Sequence, residues 1–398
     1  MSLTKPDQPK RASGQNAVHG SDPARTSRFM SRKDAILLRM LVFVPICLIL
    51  HHLNVNPVIV FISAGLAIVP LAAWTANFTE AISTHIGPTL GGLLNATFGN
   101  ATEMIVSVVA LQAGLIEVVK ASLMGSMIAN LLLGLGIALF LGGLNQRKTA
   151  SYDTTEKLST VARVNASLLN LVVVFLLAPT AIEFTSAALY SETTNKFSFV
   201  ASALLLAGYI LMLLFSMKTH SHLYGLDEDA EPESYGSEAR GMYSLKLHVG
   251  LLMLTTVVLV FVSEVLVGSL SEAIATTGMT GLFTGVILIP IFGAAVEIIT
   301  CGICGIKQKV NLASSVAIGS SLQIAMFVTP ILVFAGYLLG KPMNLDFDNF
   351  TVLGLGITIL MTNSVRADSR ANWLEGILLL MTYVMLAAAF FLHPEITG

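Results

Sequence analysis

The sequence predicts an all-α polytopic membrane protein with eleven transmembrane helices, and three observations lead to that fold class. Hydrophobic residues make up 54% of the chain and charged residues 12%, with a mean hydropathy of +0.77, whereas about a quarter of a soluble domain is charged. The apolar residues occur in stretches of about 18 to 28, long enough to cross ~30 Å of hydrocarbon as helices. The alternating pattern of a membrane β-barrel is missing from the sequence.

The first apolar stretch is predicted to be a true helix rather than a removable signal peptide. It carries Arg39 near its start, and no small-residue cleavage site follows it. Taken in chain order, the predicted spans are 36–54, 57–79, 88–113, 117–143, 158–187, 195–217, 244–268, 278–304, 310–339, 348–364 and 372–392.

The basic residues predict the orientation in the membrane. Of the 22 Lys and Arg residues, all except Lys120, Lys196 and Lys341 fall on one side when the eleven spans are threaded in order. Because positively charged segments stay in the cytoplasm, the amino terminus is predicted to be cytoplasmic and the carboxyl terminus outside or lumenal.

Two polar segments predict the domain organisation. Residues 1–34 are basic and without periodicity, which indicates a disordered cytoplasmic tail. Residues 218–243 form an acidic cytoplasmic loop that separates two groups of five spans. The predicted units are therefore the tail, one extra helix, a first five-helix repeat, the loop, a second five-helix repeat and a short outer tail: 1–34, 35–56, 57–217, 218–243, 244–392 and 393–398.

The two halves resemble each other at an offset of 194 residues. Gly99-x-x-x-Glu103 matches Gly293-x-x-x-Glu297, and Gly125-Ser126 matches Gly319-Ser320. Since each half holds an odd number of spans, the second half is predicted to enter the membrane from the opposite side. Inverted repeats of this kind are typical of secondary transporters, which hold their substrate between the repeats near the bilayer midplane.

The matched glutamates, Glu103 and Glu297, are the strongest candidates for a functional site. A carboxylate at mid-bilayer costs roughly 2.5–3.5 kcal/mol on insertion scales, so it persists mainly where it lines a cavity or finds a partner. Helical spacing predicts that Asn95, Gly99, Asn100 and Glu103 share one face of a helix. The expected cation and proton ligands are Glu103, Glu297, Asn100, Ser126, Asn130, Ser320 and Gln323, with Asn95, Ser321, Glu264 and Glu80 as further candidates for the ion path.

This ligand set consists entirely of oxygen donors, which is the preference of Ca²⁺, whereas softer metals favour Cys or His. Two desolvated glutamates repel each other, so either one divalent cation or protons can neutralise the pair, and this mutual exclusion is a basis for exchange. The alternative interpretation is that the amides and hydroxyls only join helices by hydrogen bonds and that the glycines only allow close packing.

One segment carries a family resemblance. Gly91-Gly92-Leu93-Leu94-Asn95-Ala96-Thr97-Phe98-Gly99-Asn100-Ala101-Thr102-Glu103 resembles the first signature of the cation/proton exchanger family, the vacuolar Ca²⁺/H⁺ antiporters and their bacterial relatives. The resemblance continues through Gly125-Ser126, Asn130, the acidic loop, Ser263-Glu264-x-Leu266-Val267-Gly268, Gly319-Ser320-Ser321-Leu322-Gln323 and Asn372-Trp373-Leu374-Glu375-Gly376.

The resemblance implies an eleven-helix antiporter that exports cytosolic Ca²⁺ in exchange for H⁺, in which the two motif glutamates bind cation and proton alternately. Mn²⁺ is a further candidate substrate. The second motif departs from the family pattern, because Gly293-Ala294-Ala295-Val296-Glu297-Ile298 stands where the family has Gly-Asn-Ala-Ala-Glu-His. The amide and the imidazole are replaced by Ala294 and Ile298.

Other acidic and sulfur-containing residues are open to two interpretations. Glu264 lies within a predicted span, at a position that matches the family resemblance, and is a candidate for lining the ion path. Glu80 lies at a cytoplasmic entrance, where it either draws cations in or belongs to a solvated loop. Cys47, Cys301 and Cys304 lie in apolar spans; Cys301 and Cys304 form a C-x-x-C pair, but without further Cys or His nearby this indicates packing rather than metal binding.

Three rival functions are weighed against the antiporter. A Na⁺-coupled calcium exchanger shares the inverted-repeat architecture. A cation channel would need rings of charge or pore loops, and an enzyme would need a motif such as H-E-x-x-H or G-x-S-x-G, which the sequence does not contain.

The expected partners are Ca²⁺, H⁺ and the lipid bilayer, with no cofactor and no nucleic acid. Short tails favour a bacterial plasma membrane, and a eukaryotic source would place the chain in a vacuolar membrane.

Overall fold

The computed structural model describes residues 32–145, 156–185, 190–220, 244–367 and 372–393. Every regular element within these ranges is helical, so the predicted all-α class is confirmed. Most of the predicted tail 1–34, the acidic loop 218–243 and the outer tail 393–398 lies outside the described residues.

The described part of the chain starts with two short helices and continues through a first set of seven. The first two are α1 (Arg32–Met40) and α2 (Phe43–His52). The following set consists of α3 (Pro57–Ile86), α4 (Pro88–Phe98), α5 (Ala101–Gln112), α6 (Ile116–Ile128), α7 (Leu135–Asn145), α8 (Glu156–Thr185) and α9 (Tyr190–Leu214), with π-helical turns at Ala129–Gly134 and Phe215–Thr219.

The second half has a similar order of elements. It consists of α10 (Leu245–Thr277), α11 (Gly281–Phe283), α12 (Ile289–Gly293), α13 (Ala295–Ile306), α14 (Val310–Gln323), α15 (Thr329–Leu338), α16 (Asn349–Ala367) and α17 (Trp373–Leu392), with π-helical turns at Thr284–Leu288 and Ile324–Val328.

Local signals explain where several helices begin. The Asn56 side chain accepts a hydrogen bond from the Val58 amide ahead of α3, and Pro57 occupies a first-turn position that needs no amide donor. Gly87 adopts φ +88°, a left-handed conformation that lets the chain turn between α3 and α4. Asn372 and Glu375 form a reciprocal capping box at the start of α17.

Within the described ranges, seven helical segments are long and apolar enough to cross a membrane, and some of them, such as Ile116–Leu144, join two of the labelled helices. The number rises to nine if each of two bent pairs is one span. Two shorter apolar helices, Arg163–Pro179 and Asn349–Val365, supplement them. Many large apolar side chains point outward, such as Ile49, Leu211 and Met385, and this apolar exterior suits lipid rather than water. The chain is an integral membrane protein.

The bent pairs correct one sequence-based expectation. The predicted spans 88–113 and 278–304 are not single helices: α4 and α5 meet at 44°, and the Gly281–Gly293 segment meets α13 at 60°. The first bend lies at Gly99-Asn100, where glycine weakens the helix. The second follows Pro290, which removes a helical amide donor, and a π-helical turn.

The two halves pack tightly against each other through glycines. An ideal Cβ at Gly125 of α6 would lie 2.1 Å from the Val286 carbonyl oxygen, and one at Gly305 of α13 would lie 2.4 Å from the Ala138 oxygen. Small residues allow such backbone contact, which is the usual way in which membrane helices associate. The long helices α3 and α10 also contact each other extensively.

Candidate functional site

The two matched glutamates occupy equivalent places at the helix breaks. Glu103 lies in the first turn of α5, three residues after Asn100, and Glu297 lies in the first turn of α13, three residues after Ala294. The amide groups of a first turn lack helical partners and carry partial positive charge, so each break provides a favourable environment for a carboxylate.

Glu103 and Glu297 line the same small cavity beside α3. We call it the downstream cavity, because its α3 residues lie towards Ile86; it is lined by Ala72, Thr75, Ala76, Phe98, Gly99, Thr102, Glu103, Gly293, Val296 and Glu297. The breaks therefore bring one carboxylate from each half to a common space.

A second cavity lies on the other side of Glu103. We call it the upstream cavity, because its α3 residue, Ile68, lies nearer Pro57 by about 10 Å of helix than Thr75 does. It is lined by Ile68, Glu103, Val106, Ser107, Ser122, Leu123, Ser126, Leu266, Ile289, Phe292 and Gly293. Glu103 and Gly293 line both cavities and so lie between them.

Each glutamate has a buried oxygen without a hydrogen-bond partner among the described residues. These atoms are Oε1 of Glu103, whose residue is only 6% exposed, and Oε2 of the half-buried Glu297. An unsatisfied buried polar atom costs about 1–3 kcal/mol, and more when it is charged. A bound cation or a proton on the carboxyl group would remove that cost.

A hydrogen-bond network joins the first break to the second half. The Asn100 amide donates to Oε1 of Gln323, the Ser320 hydroxyl donates to Oδ1 of Asn100 over 3.1 Å, and the Asn130 amide donates to the Ser320 hydroxyl over 3.0 Å. Asn100, Asn130 and Ser320 are all buried. The network fixes the position of Asn100, and with it the start of the helix that carries Glu103.

The corresponding positions of the other half cannot form this network. At the offset of 194 residues, Ala294 replaces Asn100, Ile324 replaces Asn130 and Ala129 replaces Gln323, and of the four only the serine recurs, as Ser126. Such a network therefore supports only the break that precedes Glu103, and not the break that precedes Glu297.

The family follows from comparison with known proteins. A model of the sodium/calcium exchanger protein family matches residues 56–218 and 247–392. The chain belongs to this family.

Two antiporters and one solved structure are similar to this family member over most of its length. The chain is 45% identical over 375 residues to the Ca²⁺/H⁺ antiporter of Aphanothece halophytica, covering 92% of this chain and 99% of the relative. It is 46% identical over 379 residues to the Ca²⁺/H⁺ antiporter of Synechocystis sp., covering 92% and 100%. The structure of native YfkE, at 31% identity, superimposes with a TM-score of 0.75 over 90% of this chain and 100% of that chain. The resemblance expected from the motif at 91–103 is confirmed.

In this member of the sodium/calcium exchanger family, the structure brings together some of the predicted site residues. Glu103 and Glu297 share the downstream cavity, Ser126 lines the upstream cavity, and Asn100, Asn130, Ser320 and Gln323 form the network.

Four other candidates line neither cavity. Asn95 is exposed on α4, lies on the other side of the bend at Gly99-Asn100 from Glu103, and lines neither cavity. Glu264 is exposed on α10, although Ser263 and Leu266 beside it are buried. Glu80 is half-buried near the end of α3, and the Ser321 hydroxyl donates to the Ala317 carbonyl of its own helix.

The sequence interpretation missed several hydroxyl side chains of the family member's cavities. Thr75 and Thr102 line the downstream cavity, and Ser107 and Ser122 line the upstream one. The Thr75 hydroxyl is buried without a partner among the described residues. The internal repeat could have pointed to Thr75, because another hydroxyl residue, Ser269, stands 194 residues later. Ser269 is also buried.

Proposed function

We propose that this protein is a Ca²⁺/H⁺ antiporter that exports cytosolic Ca²⁺ in exchange for H⁺ by alternating access. One observation carries the proposal: Glu103 and Glu297, from matched positions of the two halves, line one cavity and each presents a buried oxygen without a partner among the described residues. The Ca²⁺/H⁺ antiporters at 45% and 46% identity support the same exchange.

The chemistry of the pair explains the coupling. Two carboxylates in a desolvated site are unfavourable when both are charged, and one Ca²⁺ or protons can neutralise them. Because Ca²⁺ needs the charged oxygens and protons occupy the same oxygens, the two cargoes exclude each other. Exchange follows if only the neutralised forms of the site pass easily between the two sides.

The proposed ligands of Ca²⁺ are Glu103 and Glu297, assisted by Asn100, Ser126, Asn130, Ser320 and Gln323. Ca²⁺ accepts six to eight oxygen ligands in irregular geometry. In the network the oxygens of Asn100 and Gln323 accept hydrogen bonds from protein donors. A Ca²⁺-bound form would therefore turn some of these oxygens towards the cation. Asn95, Ser321, Glu264 and Glu80 have no direct role in this proposal.

The proposed architecture is one extra helix followed by two inverted five-helix repeats. The seven long helices, two bent pairs and two shorter apolar helices agree with eleven spans. The repeat is supported by α5 and α13, which begin 194 residues apart and are both 12 residues long. The proposed units remain 35–56 for the extra helix, 57–217 and 244–392 for the repeats, and 218–243 for the loop.

The proposed orientation has a cytoplasmic amino terminus and a carboxyl terminus outside or lumenal. It rests on the distribution of Lys and Arg, of which only Lys120, Lys196 and Lys341 fall on the outer side. In this orientation α3 begins outside, so the upstream cavity faces outward and the downstream cavity faces the cytoplasm.

The coupling ion is tested with the wild-type protein in proteoliposomes loaded with a Ca²⁺ indicator. We expect Ca²⁺ uptake when the lumen is acidic and the bath is not, because outward proton flow would drive inward Ca²⁺. A Na⁺ gradient of equal size, without a pH gradient, is expected to give only the uptake of empty liposomes. Uptake driven by Na⁺ alone would instead support the Na⁺-coupled exchanger, and conductive uptake without either gradient would support a channel.

A further inference from the structure

Two phenylalanines occupy matched positions at the helix breaks, and neither has a role in the cation site described above. Phe98 is the last residue of α4 and precedes Gly99, and Phe292 precedes Gly293 at the end of α12. They are 194 residues apart, which is the offset of the two glutamates.

The two rings lie in different cavities. Phe292 lines the upstream cavity with Ser107 and Ser122, and Phe98 lines the downstream cavity with Thr75 and Ala76. Glu103 lies between the two cavities and lines both. Each half of the chain thus contributes one aromatic ring, and the two rings are on opposite sides of the glutamate.

We propose that Phe98 and Phe292 are the two gates of the exchange site, with Phe292 closing the upstream cavity and Phe98 closing the downstream cavity. The proposal rests on the proposed function in one respect, namely that the glutamates must be reached from both sides of the membrane. An apolar constriction stops a hydrated cation by excluding water. The adjacent breaks let each half-helix swing its ring without disturbing the helix that carries the glutamate.

Phe292 has a defined binding surface on α3. An ideal Cβ at Gly65 would lie 2.5 Å from the Phe292 ring, so only glycine leaves room for the ring there. Phe61, one turn earlier, meets the Phe292 ring edge-on with centroids 6.2 Å apart. Gly65 and Phe61 therefore hold the upstream gate against α3.

The corresponding positions on α10 offer no such surface. Leu259 stands 194 residues after Gly65, and Thr255 stands 194 residues after Phe61. Leu259 is fully buried and carries a branched side chain where Gly65 has none. The two gates therefore differ, and the upstream gate is the one that a single extra methyl group on α3 would displace.

The gates are tested by the accessibility of cysteine reporters, which requires no transport. With Cys47, Cys301 and Cys304 replaced by alanine, Ser122→Cys reports on the upstream cavity and Thr75→Cys on the downstream cavity. A membrane-impermeant maleimide is applied to either side of proteoliposomes. We expect Phe292→Ala to raise the labelling rate of Ser122→Cys several-fold and leave Thr75→Cys unchanged, and Phe98→Ala to do the reverse.

Further variants keep the result interpretable. Gly65→Ala keeps the Phe292 side chain but pushes its ring away from α3, so it should also raise the labelling rate of Ser122→Cys. Phe98→Leu and Phe292→Leu preserve apolar bulk and should have smaller effects than the alanine variants. Phe391→Ala is the matched control, since Phe391 packs against Phe283 at the exposed periphery.

Labelling that stays the same in both alanine variants, or rises equally at both reporters, would overturn the gate proposal. Selective labelling changes in a protein that does not exchange Ca²⁺ for H⁺ would leave the gates standing and refute the proposed function instead.

Discussion

Replacing Glu103 by glutamine is expected to lower Ca²⁺ transport by about 100-fold or more, because the loss of one desolvated charge partner is a change of roughly 3 kcal/mol. Glutamine keeps the size of the side chain but can neither balance a divalent cation nor carry an exchangeable proton. Glu103 is 6% exposed and lines both cavities, so no other carboxylate among the described residues can replace it from the same position. The measurement is the initial rate of pH-driven Ca²⁺ uptake in proteoliposomes.

The matched controls for Glu103→Gln are Glu264→Gln and Glu272→Gln. Both glutamates are exposed on α10, and each variant removes the same charge from the protein. We expect both to keep nearly the wild-type rate. Comparable losses in Glu103→Gln and Glu264→Gln would show that net charge or an unrecognised ion path, rather than the central site, limits transport.

Gly125→Ala is expected to destabilise the fold by about 3 kcal/mol or more, at the upper end of the cost of overpacking. The new methyl group would lie 2.1 Å from the Val286 carbonyl oxygen and 2.7 Å from the Pro290 ring. Because backbone opposes it, the clash can be relieved only by separating α6 from the second half. The measurement is the fraction of detergent-purified protein that remains monodisperse after heating.

The repeat supplies the control for this substitution. Gly319 is the equivalent residue in the second half, and an ideal Cβ there meets nothing within 4 Å. Gly319→Ala should therefore change stability by about 1 kcal/mol or less, in the stabilising direction, since alanine restricts the unfolded chain. Equal heat sensitivity of the two variants would contradict the close approach at Gly125.

Much of the fold follows from the sequence because lipid imposes simple requirements. The apolar stretch predicted at 310–339 agrees with α14 and α15, which extend from Val310 to Leu338 with one π-helical turn between them. The cost of a carboxylate in hydrocarbon and the internal repeat were enough to single out Glu103 and Glu297, which the structure places in one cavity.

The rest depends on contacts that a single sequence does not encode locally. The bend at Gly99-Asn100 lies between Asn95 and Glu103, and spacing on an ideal helix could not predict it. The bonds of Asn100 to Gln323 and Ser320 join residues more than 200 positions apart. The outward orientation of Glu264 depends on which face of α10 packs against α3 and α5.

The most direct test of the central claim is proton release on Ca²⁺ binding, followed with a pH indicator in weakly buffered detergent solution. Glu103 and Glu297 are claimed to form one site that holds either Ca²⁺ or protons. We predict that adding Ca²⁺ to the wild-type protein releases protons and that Glu297→Gln releases far fewer. Ca²⁺ binding without proton release, or undiminished release from Glu297→Gln, would contradict the claim.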